Sequence, residues 1–547
     1  MGTISDKLMR IISTKEDIRK ALISKGYDVP TSIPFKEYAK MILDLPCKVD
    51  SFPDIEGIVA RYSASGLTNE QMATNPVWVD KTGNGHDIQL KNFSWKGMSG
   101  VGGVSTYYDK YEFTPDKYYM VTVSSGTQHA QFTFKVTGLV DGNTLSLADT
   151  SSPSNLYGKW TQDGIYTVDI DVINTDKSIY FYNGVSAIRG TFTIEILPLY
   201  PGALVFDGVD DYGVCENFPI LTKEKGYTVV ALRQYLVEKS TAYLTANGDS
   251  ISNTSFIFEG NNYRDTWNFG GVSTIQASRI LATQTSKQYD GVKLNIGTNA
   301  EGSNLLQVGK WSKSYSNVAI WELVFLDHDA TEEELTKIKD YFVKTYPWLF
   351  PDQAWTVAGK TNEDEDRATI ANITGNGNDL VLSNFGFAEG SGYNEEGEYA
   401  GYLVTDGVDD KIISSIFKMG NDWTVIGDWE LINTGKNDNA GIVKFDSIVI
   451  YNYNSMLINI KNGRNILIPD QNTVNAICSD GRIYSKDWKE SIYNEETEST
   501  SKNFLTIGYS GNAYTKIAFK NLAIYPTVLS REDCIKAYNY LQTLKSK

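Results

Sequence analysis

Two stretches, VFDGVDDYGV at residues 205–214 and VTDGVDDKII at residues 404–413, carry the same acidic, glycine-centred pentapeptide. An Asp-Gly step followed by Asp-Asp can be a tight turn between strands, a cradle for a hard cation, or a pair of catalytic carboxylates. Spacing narrows the choice. The pentapeptides begin at Asp207 and Asp406, an offset of 199. LVFLDHDATEEELTKIKDYF and LAIYPTVLSREDCIKAYNYL match at the same offset, which sets Thr331 over Ser530. GNGHDIQLKNFSWKGMSG (83–100) matches GNGNDLVLSNFGFAEGSG (375–392) at an offset of 292. The difference between 292 and 199 is 93, so the first copy of a duplicated unit carries about 93 extra residues between Gly100 and Asp207.

The extra segment reads as β throughout. YYMVTVSSG, QFTFKVTG, NTLSLAD, GIYTVDIDVI, SIYFYNG and GTFTIEILPLY alternate apolar and polar residues between Gly, Asn, Asp and Ser turns. A small β-sandwich at residues 104–199 fits, with its ends close together because it interrupts its host. GVGGV would begin the connection into it. The host copies are β-rich too, in runs such as GYTVVALRQYL, SNVAIWELVFL, DWTVIGDWELI and TKIAFKNLAIY. Each closes with a helix whose N-cap and partner three residues on are Thr331 with Glu334 and Ser530 with Asp533. YPWLFPDQAW between the copies reads as a packed joint.

The first residues differ. DKLMRIISTKEDIRKALISKG brings Leu8, Ile11, Ile12, Ile18 and Leu22 near helical spacing, and Gly26 offers a stop. A second short helix follows Pro34, with Phe35, Tyr38 and Ile42 as its apolar positions. Two such helices bury little alone, so residues 1–48 read as an anchoring or oligomerisation module.

The 547 residues are 41% hydrophobic and 12% aromatic, a globular composition, and carry a net charge of −17. That charge disfavours phosphate backbones, so no nucleic-acid partner is expected. No apolar run reaches the length of a membrane span, and the N-terminus lacks the apolar core of a signal peptide. The four cysteines, Cys47, Cys215, Cys478 and Cys534, form no C-x-x-C pair and read as reduced thiols of a protein made in a cytoplasm.

A strand ending in Asp-Gly-Val-Asp-Asp, an upstream Gly-Asn-Gly loop and a terminal strand with a capped helix resemble the laminin-G-like or concanavalin-A-like lectin and glucanase jelly roll. The resemblance, closest to its bacterial and phage branch, covers about 400 residues in two copies. STKEDIRKALISKGYDVPTSIPFKEYAKMI is similar to the helical leaders of phage head and tail fibre proteins, including those of crAss-like phages of gut Bacteroidetes. The resemblance implies a mainly β chain with two tandem concanavalin A-like (LamG) sandwiches, residues 49–103 plus 200–349 and residues 350–547. It implies a fibre on the virion surface, made in the host cytoplasm, homotrimeric, and attached to other virion proteins through residues 1–48.

The residues bear on three chemistries. Glucanases on this sandwich carry Glu-x-Asp-x-x-Glu on one strand; here VDIDV (168–172) lacks the glutamate, and NEDEDR (362–367) reads as a solvated loop. With three His and no Gly-x-Ser-x-Gly or His-Glu-x-x-His, no enzyme is expected. Asp207, Asp210, Asp211, Asp406, Asp409 and Asp410 supply hard oxygens for calcium, but the EF-hand spacing is absent, so a turn role leads and calcium stays open as the only cofactor. For a host surface polysaccharide, the stacking candidates are Tyr107, Tyr108, Tyr157, Trp160, Tyr263 and Trp267. The alternatives to an adhesive fibre are a capsid decoration protein without a ligand and a bacterial surface glycan binder.

Overall fold

The structure is a computed structural model that describes Lys15 and most of residues 52–544, leaving out chiefly 96–102, 105–109, 114–119, 125–128, 149–155, 172–178, 184–190, 237–242, 261–279, 286–302, 433–440, 469–473 and 493–501. The chain divides into Met1–Asp54 and Ile55–Lys547. Lys15 is helical; Leu8, Ile11, Ile12, Ile18, Leu22, Phe35, Tyr38 and Ile42 lie outside the described residues. No helix among the described residues is long and apolar enough to cross a membrane.

The second unit is mainly β, and its strand pairs are antiparallel. Alternation of buried and exposed residues in Ile88–Lys91 and Leu380–Ser383 turns Ile88, Leu90, Leu380 and Leu382 inward and their neighbours outward. Two facing sheets result. One contains Ile58–Ser63, Leu204–Asp207, Thr228–Tyr235 and Asn317–Leu326; the other contains Ile88–Lys91, Tyr212–Cys215, Tyr243–Asn247 and Leu306–Val308. Tyr62, Trp78, Phe206, Leu306, Val308 and Phe325 fill the space between them. Fully burying a side chain of this size contributes about 1.5–3 kcal/mol.

The same topology recurs in the second half. Leu403–Val404, Thr424–Leu431 and Ile517–Tyr525 stand where Leu204–Asp207, Thr228–Tyr235 and Asn317–Leu326 stand in the first. Trp355, Trp429, Ile507 and Phe519 belong to its core. Even an irregularity is repeated: the register slips between Leu232 and Arg233 in one copy and between Asp428 and Trp429 in the other.

Between Gly103–Val104 and Leu204–Asp207, which pair with each other, eight strands from Lys110–Phe113 to Phe192–Leu197 form two four-stranded sheets of their own. In the second copy the equivalent pair, Gly392–Tyr393 and Leu403–Val404, is joined by a short loop. An adjacent antiparallel pair keeps the two ends of an insertion together, which is why a β-sandwich can be accommodated there.

The helices Glu332–Thr345 and Arg531–Leu541 are capped as the sequence predicts. Glu334 N–H donates to Thr331 Oγ1 at 3.3 Å while Thr331 N–H donates to a Glu334 oxygen at 2.7 Å. Asp533 N–H donates to Ser530 Oγ at 3.1 Å. The sheet beneath the first helix buries an ion pair, Arg61 with Glu322 at 3.2 Å, and Tyr346 donates to Glu322 at 2.7 Å. Across the joint, Gln234 donates to the Thr543 hydroxyl at 3.4 Å, and Tyr525 donates to the Trp348 carbonyl at 3.0 Å.

Candidate functional site

Each Asp-Gly-Val-Asp-Asp stretch turns the chain from a strand of one sheet into a strand of the other, at the rim of the sandwich. Asp207 Oδ1 accepts from the N–H groups of Val209, Asp210 and Asp211 at 2.8, 3.2 and 3.3 Å, and Asp211 Oδ2 accepts from Asp207 N–H at 3.1 Å. Asp406 Oδ1 likewise accepts from Val408, Asp409 and Asp410, and Asp410 Oδ2 accepts from Asp406 N–H at 2.7 Å. The first and last carboxylates thus hold the loop's backbone reciprocally. Glycine is required between them: Gly407 has φ +76, and a Cβ there would lie 3.0 Å from Lys516 N.

Three carboxylates converge in each loop, with one oxygen apiece within 4.8 Å of the others. Asp211 and Asp410 are buried. Burial, then the charge of Asp207, pushes the Asp211 carboxyl up to about 8, against the Asp207 N–H that stabilises its ionised form. Asp410 is pushed up to about 6, again chiefly by burial; the Asp406 N–H and the Ser391 hydroxyl, which donates at 3.2 Å, oppose the shift. The oxygen set is of the kind that takes calcium, yet one oxygen of each triad is already occupied by three backbone donors.

A neighbouring loop clasps each of these turns. Asn92 donates its side-chain amide to the Asp210 carbonyl, and Asn384 to the Asp409 carbonyl, both at 2.9 Å. These asparagines have φ of 70° and 69°, and three residues on, Trp95 (φ 56°) and Phe387 (φ 51°) are left-handed as well. That backbone is uncommon for a bulky side chain and carries strain. Trp95 stacks on Phe93 at 4.8 Å, and Phe93 meets Phe206, the residue before Asp207, edge-on at 5.0 Å. Phe387 lies beside Phe385, with the Arg367 guanidinium 5.0 Å from its ring centre. In both copies, therefore, a left-handed aromatic residue follows three positions after the asparagine that clasps the acidic turn, its ring half-buried against the sandwich core.

The upstream Gly-Asn-Gly loops have a plainly structural part. Asn84 donates to the Val59 carbonyl at 3.0 Å and Asn376 to the Asp352 carbonyl at 2.7 Å, tying each loop to the first strand region of its sandwich. On the outward face after the acidic turn, Lys310 Nζ lies 4.0 Å from the Tyr212 ring centre and 4.9 Å from that of Tyr315. At the matching positions of the second copy the sequence has Lys411, Tyr509 and Tyr514, a Tyr–Lys exchange, and Lys411 Nζ lies 5.9 Å from the Tyr514 ring centre.

Of the sequence-predicted aromatic residues, Tyr107, Tyr108, Tyr263 and Trp267 lie outside the described residues. Tyr157 and Trp160 share the half-buried strand Leu156–Trp160 of the inserted sandwich. Trp160 packs edge-on against Phe134 at 4.9 Å and lies 5.5 Å from Tyr166, so much of its ring serves that sandwich's own packing. Asn92, Trp95, Asn384 and Phe387 are not among the sequence-predicted site residues. Their signal was present in the matched stretches, as KNFSW beside SNFGF.

No family model matches the chain, and no curated protein matches it. Among solved structures it is similar to a Trypanosoma rangeli sialidase in complex with sialic acid, at 9% identity and TM-score 0.24, over 42% of each chain. The match thus spans less than half of the sialidase's length. Domain 4 of AbnA, a GH43 extracellular arabinanase from Geobacillus stearothermophilus in complex with arabinotriose, matches at 13% identity and TM-score 0.22, over 35% of this chain and 100% of that one. A putative secreted protein from Parabacteroides distasonis matches at 9% identity and TM-score 0.17, over 49% of this chain and 97% of that one.

Proposed function

We propose that the chain is a phage virion fibre protein of head or tail, whose tandem lectin-like sandwiches hold a host surface polysaccharide. The observation that carries this reading is the repeated rim: in both copies a bulky aromatic residue, Trp95 or Phe387, keeps a left-handed backbone beside the clasped acidic turn. Strain of that kind persists where a side chain must be presented in a set orientation. An aromatic face with carboxylates beside it supplies the stacking surface and hydroxyl acceptors that a sugar ring uses. Two such rims in one chain, multiplied by a trimer assembled through residues 1–48, would convert weak contacts into firm attachment.

The test is retention of the full-length protein on host capsule and on a glycan array. Trp95→Ala with Phe387→Ala should reduce retention by about tenfold or more, an aromatic contact being worth about 0.5–1.5 kcal/mol beyond its buried area. Absence of signal on every glycan would reject adhesion and leave a ligand-free capsid decoration protein. Release of reducing ends from capsule would instead indicate a hydrolase.

A further inference from the structure

Beside the first acidic turn, lysines gather around tyrosine rings. Tyr212 opens the strand Tyr212–Cys215 directly after Asp211, and the strand's alternation turns it away from the core. Its partner on the neighbouring strand is Lys91, which is exposed on the same face. Gly309 follows the strand Leu306–Val308 with φ +71, packed so close to the Phe206 ring that no side chain fits there. Its N–H donates to the Leu244 carbonyl and its carbonyl accepts from Ser316 N–H, both at 2.8 Å. Lys310–Trp311 and Ser314–Tyr315 therefore leave the sheet as a small hairpin. Trp311 anchors it, donating to the Thr254 hydroxyl at 3.1 Å and meeting Tyr243 edge-on at 5.1 Å. The hairpin holds Lys310 Nζ 4.0 Å from the Tyr212 ring centre and 4.9 Å from that of Tyr315, within reach of a cation–π contact. Lys313 is exposed at its tip. Among the described residues no carboxylate pairs with Lys310 or Lys91, although the chain carries a net charge of −17.

We propose that Tyr212, Lys310 and Tyr315, with Lys91 beside them, form a subsite for a uronate, a carboxylated sugar of the host polysaccharide. The proposal rests on the glycan-binding reading above and names the class of sugar. A half-buried tyrosine offers its remaining face to a pyranose ring. The Lys310 ammonium, seated over both rings, keeps N–H donors for a carboxylate, and Lys91 offers a second cation to the next acidic sugar along a polymer. A neutral sugar would gain the stacking and leave both ammonium groups without an anion. At physiological ionic strength a charge reaches only about 8 Å, so these lysines, and not the acidic remainder of the chain, set the local sign. The duplicated unit supports a use for the charge. Tyrosine and lysine exchange between Tyr212 and Lys411 and between Lys310 and Tyr509, while Tyr315 matches Tyr514, so one lysine and two tyrosines occupy these positions in each copy. Lys91 and Lys313 are matched by Ser383 and Asn512, which makes the first copy the more cationic.

The experiment measures binding of the full-length protein to polygalacturonate and hyaluronate, each beside its methyl ester, which keeps the sugar and masks the carboxylate. The expected result is tighter binding to the free acids by about fivefold or more, the scale of one exposed ion pair. That preference should shrink as salt is raised to about 1 M, where the screening length is about 3 Å. Lys310→Gln should abolish most of it, and Lys310→Arg, which keeps the charge, should retain it. Binding to acids and esters alike, unchanged by Lys310→Gln, would overturn the subsite and leave the adhesive reading standing. Absence of binding to every glycan would remove both. Equal, Lys310-dependent binding to dextran sulfate or DNA would also overturn the proposal, since the lysines would then attract any polyanion. The acid-to-ester comparison on the wild-type protein decides the preference even if a variant fails to fold.

Discussion

The Asn92 side chain donates to the backbone carbonyl of Asp210 at 2.9 Å, and Asn384 makes the same bond to Asp409 in the second copy. Each asparagine does two things there: it clasps the acidic turn, and it tolerates a left-handed backbone. Two substitutions separate these parts. Asn92→Gly loses only the hydrogen bond, a cost of about 0.5–1.5 kcal/mol. Asn92→Ala loses the bond and strains the backbone as well, adding about 1 kcal/mol. Thermal unfolding of the two variants should rank them wild type, then Gly, then Ala, and the Asn384 pair should follow the same order.

The duplication was legible because turn and cap chemistry is local. Asp-Gly-Val-Asp-Asp, Gly-Asn-Gly and the Thr331–Glu334 and Ser530–Asp533 caps are short patterns, and their offsets need no knowledge of the fold. The clasp by Asn92 and the Arg61–Glu322 pair join residues distant in sequence, and strand order brings them together. One sequence carries no record of that order. Left-handed φ at Trp95 and Phe387 was hidden for a different reason: bulky residues give no compositional warning of it, as glycine does.

The raised Asp211 carboxyl sets a pH dependence. Its value climbs from the ordinary 3.8 to about 8 in the folded chain. The native state therefore holds this proton more tightly than the unfolded chain does, and stability falls as pH rises between about 4 and 8. Asp410 contributes a narrower window, between about 4 and 6. Asp211→Asn cannot ionise, so it should match wild type near pH 4 and exceed it at pH 8 in a chemical denaturation series. A wild-type curve flat over that range, or parallel to the variant's, would reject the assignment.

The buried pair under the first capped helix should be costly to break from one side. Glu322 accepts from Arg61 and from the Tyr346 hydroxyl, and Arg61 also donates to the Tyr341 hydroxyl at 2.8 Å. Glu322→Ala leaves a guanidinium buried without its anion, a loss of about 3–5 kcal/mol. Arg61→Met combined with Glu322→Met removes both charges and should cost less than the single change. The second copy has Asn521 at the position matching Glu322, so the sandwich itself does not require the charge. Calorimetry of the two variants beside wild type checks the order.

Metal removal discriminates between the two parts the acidic turns could play. Asp207 Oδ1 and Asp406 Oδ1 each receive three backbone N–H groups, so a cation would have to share oxygens that already hold the turn. Calcium takes about six to eight oxygens, and each turn brings three carboxylates together. The expected result is that neither a chelator nor added calcium moves the unfolding midpoint at neutral pH. A calcium-dependent rise in that midpoint, lost in Asp211→Asn with Asp410→Asn, would make the turns cation sites. It would also remove the fall in stability towards pH 8, since a bound cation favours the ionised carboxylates that burial opposes.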